Sequence, residues 1–411
     1  NLPLTSIDLG LERSAAVWQQ LNQGKPFQPF VITVAGTNGK GSSVAFLEAM
    51  LQAGGYRTGC YTSPHLIHYN ERIRLDGKPV SDELICQAFA QIDQAREDIS
   101  LSYFEFGTLA ALQIFQQSQP DVVILEVGLG GRLDAVNIID ADAALITGIA
   151  LDHQDWLGND RETIGREKAG ILRTNQKAVF AGDDMPQSIA AVAAELDLNL
   201  LVAGRDFELS SRETDWRLTT PAGSRHGLPM PMLRGKHQLQ NAAGVITLLL
   251  QCQSQLPLQT EALRRGLINA RVAGRFQVLT DLPLPVVVDV AHNQQAMAAL
   301  NRNLQQFVIK GQLHAIFGML RDKEITESLA ELKAMVDVWH LVPTAGERGL
   351  DADSLASHLR RLVPEKNIHC HEKLADAWQS VLQSYNEQDT LLVAGSFLIA
   401  GEFLQLTSEQ E

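Results

Sequence analysis

The chain has 411 residues, too many for one ordinary hydrophobic core, and 45% of them are hydrophobic, enough to fill two. Its net charge of −14, without any Lys- or Arg-rich tract, argues against a nucleic-acid partner, and no apolar stretch approaches the roughly 18 residues of a membrane span. Four scattered cysteines, Cys60, Cys86, Cys252 and Cys370, include no C-x-x-C pair, which fits neither a disulfide framework nor structural zinc and points to a reducing cytoplasm.

No signal-like segment opens the chain, which begins at Asn1 rather than methionine. The first strong element is an apolar run at residues 30–34, followed by Gly36-Thr37-Asn38-Gly39-Lys40-Gly41 and then by a helix-forming stretch at 44–51. A strand that feeds a glycine turn into a helix start is a phosphate cradle. Glycines let backbone N–H groups turn toward an anion, the helix N-terminus adds positive potential, and a lysine here reaches the outer phosphates. The loop departs from the general pattern, with Val34 six places before Lys40 and Gly41 where Ser or Thr normally stands, Ser42 coming one place late. A glycine-rich turn with an incidental lysine is the alternative. The flanking strand and helix favour consumption of a nucleoside triphosphate.

Further apolar runs at 58–61, 122–127 and 143–149 alternate with helical stretches at 84–95 and 108–117, the pattern of a parallel α/β sheet. Ligands bind beyond the carboxyl ends of such strands. Those ends carry Thr62-Ser63-Pro64-His65, then Glu126 ahead of Gly128-Leu129-Gly130-Gly131-Arg132, then Asp152-His153. Glu126 lies within Val-Ile-Leu-Glu-Val, where an uncompensated carboxylate is costly. Magnesium would compensate it together with the Ser63 hydroxyl, and His153 is an acceptable ligand for manganese. The plainer readings are a Glu126–Arg132 ion pair, a loop histidine at 153 and a turn-forming Ser63. Residues 180–232 are weakly patterned. Near 272–274 the pattern changes, and Leu282-Pro283-Leu284-Pro285 marks 274–285 as a linker between a domain at 1–273 and a smaller α/β domain at 286–411. The latter shows strands at 286–289, 314–318 and 390–396 and helices at 296–305 and 375–385.

The loop at 36–42, Tyr61-Thr62-Ser63-Pro64-His65-Leu66, the run from Leu125-Glu126 to Leu133-Asp134-Ala135, and Asp152-His153 together resemble the bacterial bifunctional dihydrofolate synthase/folylpolyglutamate synthases of the Mur ligase superfamily. Asp8-Leu9-Gly10-Leu11-Glu12-Arg13, Gly165-Arg166-Glu167-Lys168-Ala169-Gly170, Gly274-Arg275-Phe276-Gln277 and Asp289-Val290-Ala291-His292-Asn293 extend the resemblance over nearly the whole chain. It implies a phosphate-loop, Mur-ligase-like parallel-sheet domain with the pterin site, followed by a smaller Rossmann-like α/β domain on the glutamate side.

The implied reaction is ATP-dependent amide ligation, in which a carboxylate of dihydropteroate or of a folate is phosphorylated and L-glutamate attacks the acyl phosphate. By the same resemblance ATP is held by Gly39, Lys40, Gly41 and Ser42, by Asn241 near the base, and by Arg275 and Asp289. Two magnesium ions, or manganese, are held by Ser63, Glu126 and His153. The pterin-bearing acid is held by Asp8, Leu9, Gly10 and Leu11, by Phe104, Glu105, Phe106 and Gly107, and by Leu133, Asp134 and Ala135. Lys168 matches a lysine that is carbamylated in the superfamily, chemistry that needs a neutral amine and hence a depressed pKa. Catalysis then rests on Lys40, Glu126, His153, Lys168 and His292, the last facing the incoming glutamate with Asn293. On their own neighbourhoods, Phe104 and Phe106 read equally as core, Lys168 as a solvated helix lysine and His292 as a capping histidine.

Three positions depart from the family pattern: Gln294 and Ala273 stand where proline is usual, and Leu398 where a polar residue is common. A short stretch usually found ahead of Asp8 is not seen, which fits a truncated or partly ordered N-terminus. Closure about the Arg275 linker is expected to keep water from the acyl phosphate. A Mur-type ligase for a different carboxylate would carry a further domain before the phosphate loop, where only 35 residues stand against the ~50 a domain needs. A nucleotide-driven switch would hydrolyse without ligating. The expectation is a cytoplasmic monomer with small-molecule partners only, and neither nucleic acid nor membrane among them.

Overall fold

The computed structural model describes residues 10–152 and 154–408. Asp8 and Leu9, read as pterin contacts, and His153, read as a metal ligand, lie outside the described residues. Two compact units emerge, one running up to Met232 and including Lys236–Arg271, the other made of Leu233–Gly235 and the residues from Val272 onward.

In the first unit β1 (Phe30–Ala35), β2 (Thr58–Tyr61), β3 (Ile73–Leu75), β4 (Lys78–Pro79), β5 (Val122–Glu126), β6 (Ala143–Ile146), β7 (Lys177–Phe180) and β8 (Leu200–Val202) form one sheet in the order 4-3-2-5-1-6-7-8. Six of them are parallel, and β3 and β4 turn back at one edge. Every residue of β5 and β6 is buried, as expected of a parallel sheet covered on both faces. Val31 and Ala35 of β1 join a core with Leu109, Leu112 and Phe115 of the helix Tyr103–Ser118, while Ile32 and Val34 are fully buried on the opposite face. The connection from β1 runs to β2 on one side and the one from β5 passes to β6 on the other, so the strand order reverses around β1 and a crevice is expected at its carboxyl end.

The weakly patterned middle section contains an antiparallel meander, β9 (Glu208–Ser211), β10 (Asp215–Thr220) and β11 (Gly223–Pro229). Only β10 shows a clear two-residue period, burying Trp216, Leu218 and Thr220 between exposed Arg217 and Thr219. That half-signal is why the section resisted reading.

The second unit holds β12 (Gln277–Leu279), β13 (Val286–Val288), β14 (Leu313–Phe317), β15 (Val338–Leu341), β16 (Ile368–Cys370) and β17 (Thr390–Ala394), in the order 12-13-17-14-15-16. All are parallel except β12. β12 lies within residues 274–285, read from the sequence as a linker, and its antiparallel pairing with β13 makes that stretch an edge strand of this sheet. Phe317 against Trp339 and Trp378 against Phe403, at 5.6 and 5.4 Å, fill the core edge to face. A row of histidines crosses β14 to β16: His314 Nδ1 lies 3.3 Å from His340 Nε2, and His340 Nδ1 lies 3.2 Å from His371 Nε2. His314 ends the row 3.5 Å from Asp389, and the His369 ring stacks on His340.

Candidate active site

The glycine loop is pinned along the exit of β6. Thr37 N donates to Gly148 O at 2.9 Å, the Thr147 hydroxyl donates to Asn38 O at 2.7 Å, and the Thr37 hydroxyl bridges the amide and carbonyl of Ala150. Gly36 has φ +144°, where a Cβ would overlap Thr147; Gly39 has φ +92°, where one would come within 2.6 Å of Asn241. Both positions require glycine. Gly39 opens the helix Lys40–Ala53 with no side-chain cap and no acid in the first turn, so the positive end of a 14-residue helix is presented bare. Lys40 folds back over the loop, its Nζ donating to the Gly36 and Thr37 carbonyls at 3.0 and 3.2 Å.

Asn241 is brought against this loop by the helix Lys236–Gln251. Sequence reading missed its companion Gln238. Gln238 Nε2 donates to Ser42 Oγ, and its Oε1 accepts from Asn241 Nδ2, both at 3.1 Å and all three buried. The only sequence signal was spacing, three residues and so one helical turn before Asn241.

Glu126 ends β5 level with Val34 of β1 and is 5% exposed. Its Oε2 accepts from Ser63 N at 3.3 Å, and both its oxygens lie 3.9 Å from where a side chain at Gly41 would begin. Arg132, its alternative partner, is bound to Glu167 at 2.9 Å instead. Among the described residues no three His, Cys, Asp or Glu side chains converge as in an all-protein metal cage. A carboxylate and a hydroxyl at the mouth of a phosphate loop fit a hard divalent cation that keeps water and takes phosphate oxygens.

Lys168 sits on the helix Arg161–Ala169 and is buried, so the solvated reading fails. Burial, reinforced by Lys40, pulls its ammonium down to about 7 against the opposing Asp152 and Asp134. A substantial neutral fraction at physiological pH follows. Asp134 is itself pushed up to about 6 by burial, although amides of Leu129, Val136 and Gly128 oppose the shift. Its oxygens accept from Leu129 N at 2.8 Å and Val136 N at 3.1 Å, holding the turn after β5 between half-buried Leu133 and buried Ala135.

Glu105 serves the fold. Ser102 and Glu105 form a capping box on the helix Tyr103–Ser118, and Glu105 Oε1 also accepts from Arg13 Nη2 at 3.0 Å and from the Ser14 hydroxyl at 3.2 Å. The side chain therefore engages the helix Glu12–Asn22, which follows half-buried Gly10 and Leu11. The Ser-x-x-Glu spacing was the overlooked signal. Phe106 is core, 5.2 Å from Phe89. Phe104 is half-buried, its ring over Gly128 and 5.9 Å from Tyr61. Gly107 lies under the Tyr69 and Tyr61 hydroxyls. Tyr61, Tyr69 and Tyr103 thus extend the aromatic wall past the predicted pair.

In the second unit Arg275 and His292 lie 5.6 and 5.5 Å from the Phe397 ring. His292 Nδ1 is 2.9 Å from Val290 O. Asp289 is buried, which raises its pKa against the pull of Arg275, and its two oxygens accept from Phe276 N and Ala291 N at 2.8 Å. Asn293 caps the helix Gln294–Gln305. The predicted residues are gathered after β13, but Asp289 and Asn293 hold backbone.

Comparison with known proteins gives this geometry its context. The Mur ligase middle domain matches residues 34–249, and the Mur ligase, glutamate ligase domain matches residues 274–397. Dihydrofolate synthase/folylpolyglutamate synthase of Escherichia coli (strain K12) is 45% identical over 97% of this chain and 91% of its own. The structure of E. coli FolC in complex with DHPP and ADP superposes with a TM-score of 0.92 at 43% identity, covering 100% of this chain and 96% of that one. A bifunctional folylpolyglutamate synthase/dihydrofolate synthase with Mn, AMPPNP and L-glutamate bound gives a TM-score of 0.90 at 46% identity, covering 99% and 96%. The chain belongs to the Mur ligase family and, within it, to the dihydrofolate synthase/folylpolyglutamate synthases.

Proposed function

We propose that the crevice at the carboxyl end of β1 is where ATP activates the carboxylate of dihydropteroate or a reduced folate for amide formation with L-glutamate. The chain is an ATP-dependent ligase of glutamate to folates. The observation that carries the assignment of residues is the bare helix terminus behind Gly39 facing the buried Glu126, with Lys40 and Lys168 beside it.

In this reading the first-turn amides from Lys40 to Ser42 hold the phosphates, Gln238 orients the Ser42 hydroxyl, and Asn241 borders the base. Lys40 leaves its loop carbonyls to meet the transferring phosphoryl group. Glu126 and Ser63, with His153, would hold two magnesium or manganese ions, which would neutralise phosphate charge. Lys168, neutral in a substantial fraction, is the residue available for carbamylation. Phe104 and the turn at 133–135 border the pterin, and in the second unit Arg275 and Asp289 serve the nucleotide while His292 serves the amine. The enzyme acts as a cytoplasmic monomer on small molecules alone.

Product mass after incubation with ATP, magnesium, glutamate and either dihydropteroate or tetrahydrofolate tests the proposal. Each acid should gain one glutamyl residue or more, with ADP appearing only when acid and glutamate are both present. ADP release independent of glutamate would favour a nucleotide switch and refute ligation.

A further inference from the structure

We propose that Arg72 is a specificity residue of this site, binding a second carboxylate of an acid substrate that already carries a glutamyl group; the inference rests on the function proposed above. Arg72 closes the short turn Tyr69–Arg72 ahead of β3 and is 8% exposed. Its Nε donates to His65 Nδ1 at 2.7 Å, and its guanidinium carbon lies 5.5 Å from the centroids of both Tyr69 and Tyr103. As the acceptor in that bond, the imidazole brings Arg72 no negative charge.

No carboxylate among the described residues compensates this charge. Glu71, next in sequence, accepts the amides of Leu66, Ile67 and His68 at 2.7 to 2.9 Å. Glu48 is taken by Arg74 at 2.8 Å. A largely buried guanidinium with an imidazole partner, two aromatic faces and an Nη fork that makes no hydrogen bond within the described residues is an incomplete ion pair. The fork matches a carboxylate.

The position fits the substrate. His65 stands two residues beyond Ser63, Tyr103 precedes Phe104, and the Tyr61 phenol feels both Arg72 and Asp134. The guanidinium therefore borders the aromatic wall, and its partner His65 follows the loop that carries Ser63. Dihydropteroate has one carboxylate, the one to be activated. A glutamylated folate brings a second close to it, while Lys40 is placed for phosphate chemistry and Lys168 is taken by carbamylation. Arg72 receives it, and so sets the balance between first glutamylation and chain extension.

The test compares kcat/KM for tetrahydrofolate and for dihydropteroate in Arg72→Met, which keeps an apolar stem between the tyrosines, and in Arg72→Lys, which keeps the charge without the fork. The ratio of the two kcat/KM values should fall roughly 10- to 100-fold in R72M, through KM for tetrahydrofolate, and less in R72K, as for loss of a charge-assisted pair. Equal losses on both acids, or an unchanged ratio, would overturn the inference and leave a structural arginine. Calorimetric binding of each acid to the wild type and to R72K carries the same comparison should R72M not fold. Failure of the wild type to turn over either acid would refute the proposed function, whereas a wild-type turnover with an unmoved ratio would refute Arg72 alone.

Discussion

The two units build the same thing after an inner strand, a polar loop leading into a helix, and finish it in different ways. After β1 the helix Lys40–Ala53 starts on Gly39 without a cap or an acid in its first turn. After β13 the helix Gln294–Gln305 starts on Asn293, whose side chain accepts the Ala296 amide at 2.9 Å, and Asp289 just before it is closed by two further amides. The second end is completed by the protein. The first has no such cap and lies beside Glu126, so capping state separates a helix start suited to phosphate from one that positions residues such as His292.

The strongest way to break that comparison is to remove the charges at the open end. Lys40→Ala and Glu126→Ala should each cut ligation by about 10³-fold or more while circular dichroism and the thermal midpoint stay near wild type. Turnover retained in either variant would take that residue out of the mechanism.

Acid should sharpen the contrast from the other side. Burial, with His371, His314 and His369 adding to it, lowers the His340 pKa to about 3. The folded state therefore resists a proton that the unfolded chain accepts below about 6.5, so this stability is present above that pH and is lost as pH falls toward the folded value. Two units below 6.5 the second unit should lose about 3 kcal/mol, at about 1.4 kcal/mol per unit for one histidine, read by denaturant unfolding. His340→Leu should flatten the slope; a slope unchanged by that substitution would acquit the histidine row.

Two smaller effects separate the helix ends directly. Gly39→Ala introduces a Cβ at φ +92° within 2.6 Å of Asn241, and should cost about 1–2 kcal/mol and raise KM for ATP. Asn293→Ala should cost about 1 kcal/mol as the loss of a cap, with KM for ATP little changed. Equal effects of the two on ATP would erase the distinction between open and closed ends.

The sheets were legible because buried parallel strands are near-continuous apolar runs, and the phosphate loop because glycines there are forced by backbone geometry. Glu126 was legible as a charge in the wrong place. Glu105 was legible only in part: an acid near an aromatic pair reads as a ligand contact, and the structure adds that with Ser102, three residues back, it forms a cap. Gln238 acts through Ser42, 196 residues away in sequence, and the histidine row is assembled by strand register across β14, β15 and β16. Such pairings exist only after folding. Arg72 was invisible because its meaning lies in the acid it lacks.

The account stands on carboxylate activation, and oxygen transfer reports on it most directly. With the acid substrate labelled with heavy oxygen in its reacting carboxylate, one labelled atom should appear in each inorganic phosphate released during glutamate addition. Unlabelled phosphate alongside normal product would show that no acyl phosphate forms and would contradict the mechanism drawn from this site.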